Sequence, residues 1–125
     1  MTKRDIEIVM TGAELAATRA WLGVSRPWLA QRLGQSDSDL ARMERGKDWI
    51  TYRQRDALNR FVALTLKAED DLAARLSDQE SPAITVPRAD GDRDTHELGM
   101  PAGWWLALAG RLQRRIPALA VSYSD

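Results

Sequence analysis

The part of the sequence whose residue types could recognise another molecule runs from residue 25 to residue 47 and reads SRPWLAQRLGQSDSDLARMERGK. Two short helical patterns lie on either side of LGQS, and the second begins with small polar and acidic residues. A helix that enters the major groove of DNA presents short polar or arginine side chains from its first two turns to the base edges. The stretch therefore predicts a helix-turn-helix whose second helix could lie in a DNA groove.

The overall charge of the chain offers little general attraction to DNA. The chain has 18 Lys and Arg residues against 18 Asp and Glu residues, and residues 1–51 hold eight of the first kind and seven of the second. A protein that binds polyanions without specificity is normally basic. DNA binding must therefore depend on where the charges lie rather than on their number.

No segment of the sequence approaches the ~18 apolar residues of a membrane span. MTKRDIEIVM, at the N-terminus, lacks the long apolar run of a signal peptide. The chain has no cysteine, which excludes disulfides and thiolate metal sites. We expect a cytoplasmic protein without a membrane partner.

Three short helices are predicted in the first 50 residues. The first covers residues 11–22 and begins with a capping box, because Glu14 follows Thr11 by three residues. The second and third each begin with a serine N-cap and end at a glycine, over residues 25–34 and 36–46. These helices are the elements that must position the polar run.

Thr51 and Gln54 form a second capping box, which opens a fourth helix that can run to about residue 77. Its apolar stripe is longer than three small helices need to cover, so we expect part of it to meet the C-terminal segment or a second chain. The stripe consists of Leu58, Phe61, Val62, Thr65, Leu66, Leu72 and Leu76.

Residues 81–125 have the pattern of strand, helix and strand. AITV at 83–86 is typical of a short strand, a helix follows between Pro101 and Pro117, and residues 119–123 alternate as a last strand. Two strands alone cannot make a stable sheet, so we expect them to pair across a homodimer. The predicted dimer interface consists of Ile84, Val86, Trp104, Trp105, Leu108, Leu112, Val121 and Tyr123.

The first three predicted helices resemble the helix-turn-helix of the Cro/C1-type, or xenobiotic-response-element, repressors. The spacing of caps, glycines and apolar residues agrees without a gap over about 37 residues. The matching residues are Leu15, Arg19, Leu22, Gly23, Val24, Ser25, Leu29, Ala30, Leu33, Gly34, Ser36, Leu40, Glu44, Arg45, Gly46 and Lys47. The order of elements over the chain from MTGAEL onwards is also similar to that of YdiL-like and anti-CRISPR-associated regulators.

The elements and the resemblance together predict a fold that is mainly α with a small α+β tail. Residues 1–10 are an N-terminal arm or extension, and residues 11–80 are a lambda-repressor-like helix-turn-helix bundle with a long fourth helix. Residues 81–125 are a strand-helix-strand dimerisation segment. The resemblance implies a dimeric repressor, often of its own operon in phage or mobile elements, that binds an inverted-repeat operator with one helix per half-site.

The family pattern also implies which side chains contact double-stranded DNA. Those placed for base contact are Asp37, Ser38, Asp39 and Arg42. Those placed for phosphate contact are Arg26, Ser36, Arg45 and Lys47. Arg42 could bind guanine with two hydrogen bonds, and a carboxylate could accept one from cytosine N4. The same pattern implies that Arg19 and Glu44 form a structural ion pair.

Some of these residues have plainer roles that stay open. Asp37 and Asp39 favour the positive end of a helix and could merely cap it. Trp104 and Trp105 suit a core, a dimer interface or, less readily, a ligand pocket. The neutral charge and the two aspartates favour an alternative function, an antitoxin- or adaptor-like module that docks on a protein partner.

Nothing in the sequence assembles a nucleophile, a base and an orienting group, so we expect no enzyme and no cofactor. His96 is the only histidine, and it lies in a polar loop, residues 88–99. The acids of that loop lack the order of a calcium-binding loop. Ser122 and Ser124 have no base near them in the sequence.

Overall fold

The structure, a computed structural model, describes residues 9–91 and 98–124. Across these residues the fold is mainly helical, with one sheet of two strands. The helices are α1 (Gly12–Leu22), α2 (Arg26–Arg32), α3 (Asp37–Glu44), α4 (Tyr52–Ser77) and α5 (Ala102–Arg115), and the strands are β1 (Ala83–Val86) and β2 (Ala120–Tyr123). Most of the predicted N-terminal arm, residues 1–8, and the loop residues 92–97 with His96 lie outside the described residues.

Both predicted capping boxes are confirmed at the helix starts. The Thr11 side-chain hydroxyl accepts a hydrogen bond from the Glu14 amide at 3.0 Å, and the Glu14 carboxylate accepts one from the Thr11 amide at 2.8 Å. Thr51 and Gln54 exchange the same two bonds at 3.1 and 2.9 Å. Each box satisfies amide donors that a helix start leaves without a partner.

The described residues divide into two compact units, of which unit 1 holds residues 9–21 and 25–62 and unit 2 holds residues 22–24, 63–91 and 98–124. The division falls within α4, whereas the sequence predicts a boundary after residue 80. The physical reason is that the second half of α4 bonds to α5, as the buried hydrogen bond from Trp104 Nε1 to Thr65 Oγ1 shows.

Unit 1 buries an apolar core beneath its short helices. Its buried apolar residues are Leu15, Leu29, Ala30, Leu33, Leu40, Ala41, Met43, Ile50 and Leu58. The start of α1 lies so close to the end of α3 that a Cβ on Gly12 would be 2.5 Å from the carbonyl oxygens of Met43 and Glu44. Arg19 also bonds Glu44 through Nε at 2.6 Å and Nη2 at 3.0 Å, so the predicted ion pair is present and ties α1 to α3.

Unit 2 contains the sheet, in which β1 and β2 run parallel with Ile84 opposite Val121 and Val86 opposite Tyr123. Helix α5 connects the strands and packs against both of them. A two-stranded sheet that packs against a helix is stable without further strands. The sheet therefore does not require a second chain for its stability, contrary to the expectation from the sequence.

Several residues predicted at a dimer interface lie instead in the core of unit 2. Val86, Trp104, Leu108 and Leu112 are each no more than 1% exposed, so in this structure they offer no surface to a second chain. Trp105, at 7%, offers little. The residues of the predicted interface that keep exposed surface are Ile84, Val121 and Tyr123.

Candidate nucleic-acid interface

The turn between α2 and α3 is closed by hydrogen bonds that its glycine permits. Gly34 has φ of +71°, a backbone conformation that residues with a Cβ rarely adopt. Its position lets the Gln35 amide bond the Ala30 carbonyl at 2.9 Å, which ends α2. The Ser36 hydroxyl then accepts a hydrogen bond from the Asp39 amide at 3.1 Å, which begins α3. The chain thus passes from one helix to the next within four residues, Leu33 to Ser36.

Helix α3 has one buried side and one exposed side. Leu40, Ala41 and Met43 are buried, as helical spacing predicts. The four residues predicted to contact bases are all exposed, and they are Asp37, Ser38, Asp39 and Arg42. The structure therefore brings these four side chains together on the surface of one helix.

The residues predicted to contact phosphate lie at both ends of this exposed side. Arg45 and Lys47 are exposed just beyond the end of α3. Arg26, the first residue of α2, donates from Nε to Asp37 Oδ1 at 2.7 Å, and this hydrogen bond raises the pKa of Arg26 above its usual value. Ser36 lies at the other end, and its exposed hydroxyl serves as the N-cap.

The chain turns back on itself where α3 ends. Gly46 has φ of +78°, and its amide bonds the Met43 carbonyl at 3.1 Å while the Lys47 amide bonds the Arg42 carbonyl at 2.8 Å. This pair of bonds is the Schellman motif, in which only a glycine is comfortable at the left-handed position. The turn carries Asp48 back beside Arg42, which lies in the last turns of α3.

Asp48 binds the guanidinium of Arg42 with both carboxylate oxygens. Arg42 Nε donates to Oδ2 at 3.0 Å, and Nη2 donates to Oδ1 at 3.4 Å. The bond to Asp48 raises the pKa of Arg42 above its usual value. The sequence gives no signal for this contact, because the contact depends on the turn at Gly46.

The two arginine–aspartate pairs leave the candidate interface close to neutral. The side chains of Arg26 and Asp37 are 42% and 48% exposed, and those of Arg42 and Asp48 are 53% and 42% exposed. Ion pairs this open to water contribute little to the stability of a fold.

A concave feature lies within unit 2, between the second half of α4 and β1. It is an open cavity of about 700 Å³. Its lining residues are Leu64, Lys67, Ala68, Asp71, Leu72, Arg75, Ala83, Ile84, Thr85, Leu98 and Trp105. Of the two tryptophans considered for a ligand pocket, Trp105 contributes to this wall, while Trp104 is fully buried.

Among residues 9–91 and 98–124, no group of three His, Asp or Glu side chains is placed to hold a metal ion. Over the same residues, no helix has the length and apolar character needed to cross a membrane. No protein-family model and no curated protein matches the chain.

Proposed function

We propose that the α2–α3 pair is a helix-turn-helix and that the protein is a sequence-specific DNA-binding regulator, acting as a dimeric repressor of the Cro/C1 type. Helix α3 enters the major groove, and Arg42 and the polar residues of its first turn contact base edges. Arg26, Arg45 and Lys47 bind phosphates on either side of the groove. Repression follows because the bound protein occupies DNA that RNA polymerase must enter.

The observation that carries this proposal is the division of α3 into two sides. A helix whose first turns are exposed, while its apolar side is anchored in a core, can present side chains to a groove at low cost. The exposed cations of the α3 exit, Arg45 and Lys47, extend the same surface. The resemblance of residues 11–47 to Cro/C1-type repressors supports the same function.

The dimer is a separate part of the proposal. The surface available for it is the exposed part of the sheet, where Ile84 lies opposite Val121 and Tyr123 follows on the same strand. Replacing Ile84 or Val121 with glutamate would place a charge in that interface. Sedimentation velocity of the full chain would then show a shift from dimer to monomer, whereas an unchanged dimer would mean that the interface lies elsewhere.

DNA binding is tested by selecting preferred sequences from a randomised duplex library and measuring affinity by fluorescence anisotropy at several salt concentrations. Three phosphate-binding cations per protomer make six per dimer, so log K should fall against log salt with a slope of about −5, at about −0.9 per contact. Arg42→Ala should lose about 1–3 kcal/mol of the binding free energy that discriminates between bases at one base pair of each half-site. Arg114→Ala, at an exposed arginine near the end of α5, is the matched control and should change neither quantity. A chain that selects no sequence does not have the proposed function.

The alternative is a protein-docking module, and the neutral surface favours it. Asp37 and Asp48 already occupy the arginines that would contact DNA, as they would in a surface that binds another protein. A complex of the full chain with a protein partner that is abolished by Arg42→Ala, together with an absence of sequence selection, would support this alternative.

A further inference from the structure

Among the residues that the structure describes, the guanidinium of Arg42 is bound along one edge and open along another. Arg42 has five N–H donors in a rigid plane. The Asp48 carboxylate lies on the edge formed by Nε and Nη2, at 3.0 and 3.4 Å. The opposite edge, formed by Nη1 and the second N–H of Nη2, keeps two parallel donors. Two parallel donors are what guanine O6 and N7 accept from an arginine in the major groove.

We propose that Asp48 is a positioning residue that holds Arg42 in the orientation needed to read a guanine. The inference rests on the proposed function and adds the residue that sets its base specificity. Asp48 acts through Arg42 and does not itself contact the base. Because Asp48 occupies the Nε edge of Arg42, that edge does not donate hydrogen bonds to a phosphate.

The fold provides this arrangement through the turn at the end of α3. The left-handed conformation of Gly46 and the bond from the Lys47 amide to the Arg42 carbonyl fix Asp48 relative to the base of the Arg42 side chain. The contact therefore joins the Arg42 side chain to the side chain of Asp48, whose preceding residue is bonded through its backbone to the helix.

Asp48 also has a second, electrostatic effect on DNA. An exposed carboxylate beside the groove repels phosphates whatever the sequence of the DNA. Removing it should strengthen binding to unrelated sequences and weaken discrimination at the base pair that Arg42 reads. These opposite changes distinguish a positioning residue from a carboxylate that merely competes with DNA, since removal of a competitor strengthens binding without loss of discrimination.

The first measurement concerns the free protein. In a nuclear magnetic resonance spectrum of the full chain, the Nε–H of Arg42 should exchange slowly enough with water to be observed, and Asp48→Asn should weaken or remove that signal. A signal that is unchanged in Asp48→Asn overturns the proposal, because the carboxylate then does not hold the guanidinium in solution. Thermal unfolding of the variant controls for a loss of folding.

The second measurement uses the duplex of highest affinity selected by the wild-type protein. Arg42→Ala identifies the base pair whose replacement no longer matters, where the wild type should prefer guanine by about 5- to 150-fold. Asp48→Asn should reduce that preference by up to about fivefold, the range of an exposed ion pair. The same variant should bind an unrelated duplex more tightly. Asp56→Asn is the matched control, because it removes an exposed aspartate paired with Arg55 at 3.0 Å, and it should leave the preference unchanged.

The outcomes separate this proposal from the proposed function. A wild type that selects no sequence ends the proposed function itself. A wild type that selects a sequence, but whose guanine preference is the same in Asp48→Asn, retains the function and loses the positioning role of Asp48. That role is equally lost if Arg42→Ala keeps every base preference, because Asp48 then has no reading residue to position.

Discussion

Removing the hydrogen bond between Trp104 and Thr65 tests whether these two side chains lie in the buried core of unit 2. Both side chains have no exposed surface, and Nε1 of Trp104 donates to Oγ1 of Thr65 at 2.7 Å. Thr65→Val keeps the shape of the side chain and removes the acceptor, which leaves a buried indole N–H without its partner. An orphaned buried donor costs about 1–3 kcal/mol, so we expect about 2 kcal/mol of destabilisation. At about 4 °C per kcal/mol for a chain of this length, Tm should fall by about 8 °C.

The assay is urea unfolding followed by tryptophan fluorescence, with thermal unfolding of the same variants to measure Tm. Thr85→Val makes the same chemical change at an exposed position of β1 and should stay within about 0.5 kcal/mol of the wild type. Trp104→Phe and the double variant complete a double-mutant cycle, in which residues in contact are coupled by about 0.5–3 kcal/mol.

Two results would refute the reasoning. A coupling energy near zero would mean that the two side chains do not share a hydrogen bond. A loss of stability in Thr65→Val no larger than that in Thr85→Val would mean that the substitution leaves no buried indole N–H without a partner.

Three further predictions concern other contacts. Gly12→Ala should destabilise by about 1–3 kcal/mol, because its methyl group would collide with the backbone of α3. Gly110→Ala should be neutral or stabilising, since among the described residues no atom beyond its own stretch of α5 lies within 4 Å of the added Cβ; chemical denaturation compares the two. Glu69→Gln should lower the free energy of unfolding by about 2 kcal/mol in the same assay, because this carboxylate is only 14% exposed and accepts hydrogen bonds from two arginines of α5. An unchanged free energy of unfolding would mean that these bonds do not stabilise the fold. The hydrogen bonds of Thr11 lower the pKa of Glu14 below its ordinary value of 4.5. The ionised Glu14 carboxylate therefore stabilises the fold above pH 4.5, and this stabilisation is lost as the pH falls through the lowered pKa. The Tm difference between the wild type and Glu14→Gln should shrink between about pH 6 and pH 3.

The local signals in the sequence predicted the helices and strands because each signal acts within a few residues. A serine or threonine N-cap satisfies amides two or three positions away, and both capping boxes form as the spacing requires. Gly34 and Gly46 adopt the left-handed conformation that ends a helix. The same logic gave the correct bounds for β1, residues 83–86, and a fourth helix that ends at Ser77.

The contacts that depend on packing between distant elements were not predicted. Leu66 follows the apolar spacing of α4, yet it is 49% exposed, because Thr65 is the residue that turns toward α5 and pairs with Trp104. The close approach at Gly12 and the pairing of Arg42 with Asp48 likewise have no signature in the spacing of residues. Such contacts follow from the three-dimensional path of the chain, which short-range patterns do not fix.

The balance of charges at α3 bears on how a chain without net charge could bind DNA with specificity. Non-specific affinity for DNA comes from counterion release by cations. On the proposed function, Asp37 and Asp48 would reduce that affinity, because they pair with Arg26 and Arg42 in the free protein. A contact to a base edge is made only on the correct sequence, so the aspartates reduce non-specific binding more than specific binding. The specificity ratio, rather than the affinity alone, determines occupancy of an operator among many competing sites. On the proposed function, the acidic residues that make the surface unattractive to DNA in general are therefore the residues that let a few base contacts determine where it binds.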